Sequence, residues 1–118
     1  MRLNKVVRLA LGLVDTVVLG ACLDFGTGDL VVSVRAGKRA SSRCGICGAK
    51  CPGYDGKSTP RSRRWRSLDL GMLRVYLDAM IGRVQCREHG VVVEQVPWAR
   101  HNAGHTRHFD QQVAWLVR

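Results

Sequence analysis

Apolar positions at helical spacing open the chain. Leu3, Val6, Val7, Ala10 and Leu11 recur every three or four residues and predict a short amphipathic helix over residues 3–13. The period then drops to two. The stretch "TVVLGACLDFGTGDLVVSVR" reads as two β-rich runs about the turn "DFGTGD", whose glycines accept positive φ, so a hairpin is predicted from Thr16 to Arg35. Cys22, set among apolar neighbours in the first run, is expected to be an ordinary buried thiol. Further on, "RWRSLDLG" and "MLRVYLDAM" predict two strands about the Gly71 turn, with Leu73, Val75 and Leu77 alternating against Arg74, Tyr76 and Asp78. "GRVQC" is expected to continue the second strand, and "GVVVEQV" to make a third that Pro97 closes. Thr106 is a candidate N-cap for "RHFDQQVAWLVR", where Phe109, Val113 and Leu116 form an apolar stripe on a C-terminal helix.

Residues 35–66 depart from this patterning. Ten Lys or Arg face one acid, Asp55, amid Gly, Ser and Pro, which predicts a loop-rich, electropositive segment. The whole chain shares the bias: its 118 residues hold 19 Lys plus Arg against 9 Asp plus Glu, for a net charge of +10. That balance favours a polyanionic partner over an acidic small molecule. Most of the cations are Arg, whose planar fork suits phosphates and guanine edges. The apolar N-terminal stretch raises the question of a signal peptide or membrane anchor. Arg8 and Asp15 interrupt it, and no uncharged run approaches the ~18 residues that spanning needs, so a cytoplasmic, nucleoid-associated protein is expected.

A chain this short forms a small core that gains from a staple. Disulfides are rare in a reducing compartment and five cysteines are an odd number, so "RCGICGAKC" points to metal. Two pairs stand out, "CGIC" at Cys44 and Cys47 and "CREH" at Cys86 and His89, each with two residues between ligands. Such knuckles aim two side chains at one ion at roughly 2.0 to 2.3 Å, and 38 residues between Cys47 and Cys86 leave room for strands to run out and back. The expectation is one structural Zn²⁺ in a closed Cys₃His site with no place for a catalytic water. Cys51 leaves the ligand set open, because it can replace Cys44 or Cys47. Its spacing suits a tight knuckle less well, and Pro52 turns the chain away. A thioredoxin-like CxxC would need a βαβ setting, which the pattern lacks.

His101, His105 and His108, near Arg100 and Arg107, read as solvated or phosphate-touching loop histidines rather than a second metal site. Asp69 and Asp78 flank strands and Asp110 complements a helix dipole. No nucleophile–base arrangement, phosphate-binding glycine loop or carboxylate pair emerges, so no catalytic residue is expected. A zinc clamp beside "KSTPRSRRWR" instead fixes a polar loop and orders its arginines. Lys57, Arg61, Arg63, Arg64, Arg66 and Arg100 are the candidate nucleic-acid contacts, while alternation sends Trp65 into the core.

"RCGICGAKCPGYD", "RRWRSLDLG", "RVQCREHGVVVEQVPWARH" and "HTRHFDQQVAWL", in this order, resemble the N-terminal region of bacterial insertion-sequence transposases of the ISL-three group. The resemblance covers most of residues 43–118. It implies a zinc-binding domain with Cys44, Cys47, Cys86 and His89 in the metal positions, ahead of helix-turn-helix and DDE catalytic regions. It also implies binding of double-stranded DNA at the transposon's terminal inverted repeats. In the family the catalytic acids follow the point where this sequence stops, so none is expected here, whether the chain is the front end of a longer protein or a small regulatory one.

The fold expected is α+β: a helix and hairpin over residues 1–40, a zinc-ribbon-like domain over 41–99 and the start of a helical region over 100–118. The zinc site would lie at the base of a three-stranded antiparallel sheet. A homodimer is an option. The alternatives are a zinc-built protein-interaction module and an RNA-binding module.

Overall fold

The computed structural model describes residues 3–54, 61–100, 103–107 and 109. The apolar repeat at the start forms α1 (Leu3–Ala10), which turns Val7 and the following Leu11 inward and leaves Val6 and Leu9 exposed. Its end is a Schellman motif: Leu13 N–H donates to Arg8 C=O at 3.0 Å and Gly12 N–H to Leu9 C=O at 3.2 Å. Gly12 sits at φ 66°, where a side chain would be strained.

The expected hairpin follows as β1 (Thr16–Asp24) and β2 (Asp29–Ala36), paired antiparallel from Thr16↔Ala36 to Asp24↔Asp29. A register shift between Val18 and Gly20 breaks the alternation of β1. Beyond it the strand is the sheet's edge and reads largely exposed, which overturns the buried thiol expected at Cys22; that side chain is exposed.

Two further strands, β3 (Arg61–Arg66) and β4 (Val75–Ile81), pair antiparallel from Arg61↔Ile81 to Arg66↔Tyr76. They do not head a separate three-stranded antiparallel sheet. They join the hairpin in a four-stranded mixed sheet, β1-β2-β4-β3, in which β2 and β4 run parallel from Leu30↔Val75 to Ser33↔Asp78. Parallel neighbours need a long crossover, and the basic, loop-rich segment after Ala36 supplies it.

Nor does "GRVQC" prolong β4. Gly82 ends that strand, and β5 (Arg83–Cys86) pairs with β6 (Gly90–Val93) in a two-stranded ribbon of its own. β6 stops short of Pro97 because Glu94 turns to bridge Cys44 and accepts the Gly82 N–H at 3.1 Å.

The main core lies between α1 and one face of the sheet. Leu11, Val32, Val34, Trp65, Val75 and Leu77 are buried there, with Trp98 set edge-on to Trp65 at 5.2 Å between ring centroids. Trp65 is thus the core residue its alternation predicted. Residues 103–106 run along the free edge of β3, where Arg66 N–H donates to Gly104 C=O and Thr106 N–H to Arg66 C=O. Thr106 Oγ1 accepts the Phe109 N–H at 3.2 Å, the bond expected of an N-cap. The expected C-terminal helix, with Val113 and Leu116, falls almost wholly on residues outside those described. No described helix is long and apolar enough to cross a membrane.

Candidate metal centre

Two turns of the same design face each other. In the first, Cys44-Gly-Ile-Cys47 is closed by Gly48, which holds φ 76° and donates its N–H to Cys44 C=O at 2.9 Å. In the second, Cys86-Arg-Glu-His89 is closed by Gly90 at φ 72°. A glycine directly after each ligand pair lets the chain reverse in the left-handed region. This signal, "CGICG" and "CREHG", is present in the sequence, and the spacing argument had passed over it.

The first turn is anchored by Cys44 N–H to Ala49 C=O and by the Cys44–Glu94 bridge to the end of β6. The second is the loop of the β5–β6 hairpin. Their four donor atoms all lie within 4.8 Å of one another. Cys47 Sγ and Cys86 Sγ are 3.7 Å apart, and His89 Nδ1 lies 3.7 Å from Cys44 Sγ and 3.6 Å from Cys86 Sγ. A tetrahedron with metal–sulfur bonds of about 2.3 Å and a metal–nitrogen bond of about 2.0 Å has edges of about 3.8 Å between sulfurs and about 3.5 Å from sulfur to nitrogen. These three separations lie close to those edges. Three thiolates and an imidazole suit Zn²⁺, and four protein ligands fill the tetrahedron.

The backbone prepares the sulfurs for a cation. Amide N–H groups of Glu88 and His89 lower the Cys86 thiol to about 7, and the Cys47 N–H lowers that of Cys44 against the opposing effect of burial. Ile46 N–H adds a contact to Cys44 Sγ at 3.4 Å. Cys47 is pushed up: the Ala49 N–H lowers it, but burial and the neighbouring Cys44 and Cys86 sulfurs outweigh that bond. Cys51 is buried beside Cys44 and Cys86 but stands outside the tetrahedral group, its thiol raised chiefly by burial and aimed at Ala49 C=O at 3.2 Å.

Comparison with known proteins agrees with this geometry. Residues 40–89 match the zinc-finger of transposase IS204/IS1001/IS1096/IS1165, and residues 94–118 match the helix-turn-helix domain of transposase family ISL3. The chain belongs to the ISL3 transposase family, in its N-terminal region. It is 49% identical over 95 residues to the transposase for insertion sequence element IS1557 of Mycobacterium tuberculosis, in strains CDC 1551 / Oshkosh and H37Rv alike. That match covers 80% of this chain and 21% of the relative, so the chain spans about a fifth of the length of the curated proteins it matches. No solved structure matches.

Among the described residues of this ISL3 chain, the basic candidates do not form one free patch. Arg64 is held by Asp78 through two bonds, Nε to Oδ1 at 2.6 Å and Nη2 to Oδ2 at 2.9 Å, yet its side chain stays 54% exposed. Arg66 donates to Ser67 and Val75 carbonyls and pairs with Asp69, so it holds the loop from β3 to β4. Arg63 donates to Ala103 C=O at 2.7 Å and its guanidinium covers Trp65. Arg100 is exposed. Lys57 and His101 lie outside the described residues, as does the side chain of Arg61. His105 stacks on Phe109 at 5.0 Å. The internal duties of Arg63 and Arg66 depend on strand pairing, which a charge count does not reveal.

Proposed function

We propose that this chain is the DNA-binding front end of an ISL3-family transposase. It binds the terminal inverted repeats of its element in the cytoplasm, at the nucleoid, and leaves strand transfer to DDE acids elsewhere in the longer protein. The observation that carries this reading is the zinc-shaped Cys₃His cluster followed directly by the helix-turn-helix match. Zinc acts as a structural clamp. Bound there, it ties the crossover segment to the β5–β6 ribbon, while Arg63 and the Arg66 backbone seat residues 103–106, the lead-in to the capped helix, on β3.

Lys57, Arg61, Arg63, Arg64, Arg66 and Arg100 supply the positive surface in this proposal. Arg64 and Arg100, being exposed, make direct phosphate or base contacts; Arg63 and Arg66 position the helical region. A binding titration on duplexes carrying the inverted repeats, over a salt series, tests the reading. Affinity should fall steeply with salt, and Arg64→Ala should reduce the log–log slope by about 1 for the phosphate lost. Tight, salt-insensitive binding, or equal binding to structured RNA and unrelated duplexes, contradicts the proposal.

A further inference from the structure

Cys51 is one of two cysteines outside the metal site, with Cys22, and DNA binding does not use it either. Its place in the backbone is specific. Gly53 bridges Val84 in antiparallel sense, Gln85 N–H donates to Pro52 C=O at 3.0 Å, and Tyr54 N–H donates to Arg83 C=O at 2.9 Å. The segment 52–54 therefore runs antiparallel beside β5, and extending this register by one step would set Cys51 opposite Cys86. The hydrogen bonds fall on the 52/85 and 54/83 pairs, so 51/86 is a non-hydrogen-bonded pair, the kind whose Cα atoms approach to about 4.5 Å. Disulfides close over Cα separations of about 4.4 to 6.8 Å. Both side chains belong to the same buried cluster. A surface cavity of about 470 Å³, lined by Cys47, Cys51, Pro52, Gln85, Cys86 and Arg87, opens onto the sulfurs.

We infer that Cys51 is the resolving thiol of an oxidation site: hydrogen peroxide converts Cys51 and the zinc ligand Cys86 into a disulfide, and the metal is released. The Cys86 thiolate attacks one peroxide oxygen, the O–O bond breaks, and hydroxide leaves and takes up a proton, so that Cys86 becomes a sulfenic acid. Cys51 attacks that sulfur, the S–S bond forms, the S–O bond breaks, and a second water departs with the Cys51 proton. Peroxide is reduced and the two thiols are oxidised. With zinc bound by the other three cysteines and His89, Cys51 is the unliganded thiol at the site, Cys22 lying on β1. The inference rests on the four-ligand zinc site and not on DNA binding.

Zinc content of the reduced full-length chain is measured first, so that failure of the metal site is told apart from failure of the switch. The zinc-loaded chain is then treated with hydrogen peroxide, with release followed by a chromogenic chelator and disulfides mapped by mass spectrometry. Tryptic cleavage after Lys50 separates Cys47 from Cys51, so the pairs are distinguishable. We expect zinc release together with a mass loss of about 2 Da in a linked Cys51–Cys86 peptide pair, reversed by reductant and added zinc. Cys51→Ser and Cys51→Ala should bind zinc normally when reduced and lose it more slowly under peroxide. Release from both variants at the wild-type rate overturns the inference, as does a wild-type disulfide joining Cys44 to Cys47 or Cys47 to Cys86. Loss of zinc binding in both reduced variants overturns it too, by making Cys51 a ligand.

Discussion

Among the described residues, fourteen buried hydrophobics form one cluster about the four-stranded sheet, including both members of the Trp65–Trp98 pair, whereas Cys44, Cys51, Val84 and Cys86 form a second beside the β5–β6 ribbon, with Val92 against them. Three of the four buried residues in this second cluster are cysteines. Ordering a residue's backbone costs about 1–2 kcal/mol, and one valine pair with a few sulfurs falls far short of that over the two knuckles. Apolar burial thus orders the sheet, and a metal ion must order the ribbon. The two regions meet at Gly82, between β4 and β5, at Glu94, which is bonded back to Gly82, and at Val93 of β6, which packs against the main core.

The widest separation of the two regions should follow metal removal. Structural zinc contributes about 10–16 kcal/mol in small zinc-finger peptides, so a chelator or Cys86→Ser should remove most of the ribbon's order and leave only the local hydrogen-bonded turns. Amide hydrogen exchange should then show lost protection around Cys44 to Cys51 and in β5 and β6, with β2 and β4 still protected. Equal loss in β4 would show one cooperative unit rather than two.

Trp65→Ala inverts the test. Trp65 is 1% exposed and packs on Trp98, so its truncation should cost about 3–5 kcal/mol in urea unfolding. Partly unfolded protein should still coordinate zinc at the four knuckle residues if the ribbon stands on its metal. Loss of zinc in step with the sheet would instead mean that β3 and β4 hold the knuckles in place.

The two regions also differ in how far the sequence disclosed them. Knuckle spacing is local, so Cys44, Cys47, Cys86 and His89 could be proposed as one site from two short words, and their donor atoms converge as proposed. Strand identity in the sheet was legible from alternation for β4, where Val75, Leu77, Ala79 and Ile81 all turn inward, but β3 lies at Arg61–Arg66 rather than along "RWRSLDLG", because Arg66 turns its guanidinium onto the Ser67 and Val75 carbonyls and the chain leaves the sheet there. Pairing was not. The parallel contact of β2 with β4 joins segments on either side of the long crossover, and no local pattern encodes which strands lie side by side. The bulge after Val18, which exposes Cys22, and the break at Gly82 are single-residue events within otherwise regular β patterns. Arg66 illustrates the limit for charge. It reads as a surface cation until pairing shows it bonded to Val75 C=O.

In the metal-free ribbon, pH supplies a smaller lever. Cys86 is lowered from the usual thiol value of 9.0 to about 7, so the folded turn favours the thiolate. A depressed folded value contributes stability that is present above the unfolded value and lost as pH falls through the folded one. The turn's residual order should therefore decline between about pH 9 and pH 7. Thiolate absorbance should show one cysteine titrating near 7, and zinc affinity, which already declines with pH as Cys47 takes up its proton, should decline more steeply below that point as the ion also competes with a proton at Cys86. A Cys86 that titrates at the ordinary value would mean that the Glu88 and His89 amides face its sulfur only when metal gathers the site.

The smallest expected effect concerns what the sheet region lends to the helix-turn-helix. Thr106 is 2% exposed, its N–H held by Arg66 C=O at 2.8 Å, and its hydroxyl caps Phe109 N–H at 3.2 Å. Thr106→Ala keeps the backbone bond and removes only the cap, for about 1 kcal/mol, whereas Thr106→Ser restores the hydroxyl. Exchange at residue 109 should quicken in the alanine variant and recover in the serine variant, while residue 107, whose N–H donates to Trp98 C=O, stays protected. β4 and the metal knuckles should be untouched, since neither contacts the hydroxyl. If β3 acts as the seat of the DNA-reading helices, duplex affinity should follow the same order, wild type and serine above alanine. Unchanged affinity with a frayed first turn would locate DNA recognition away from this junction.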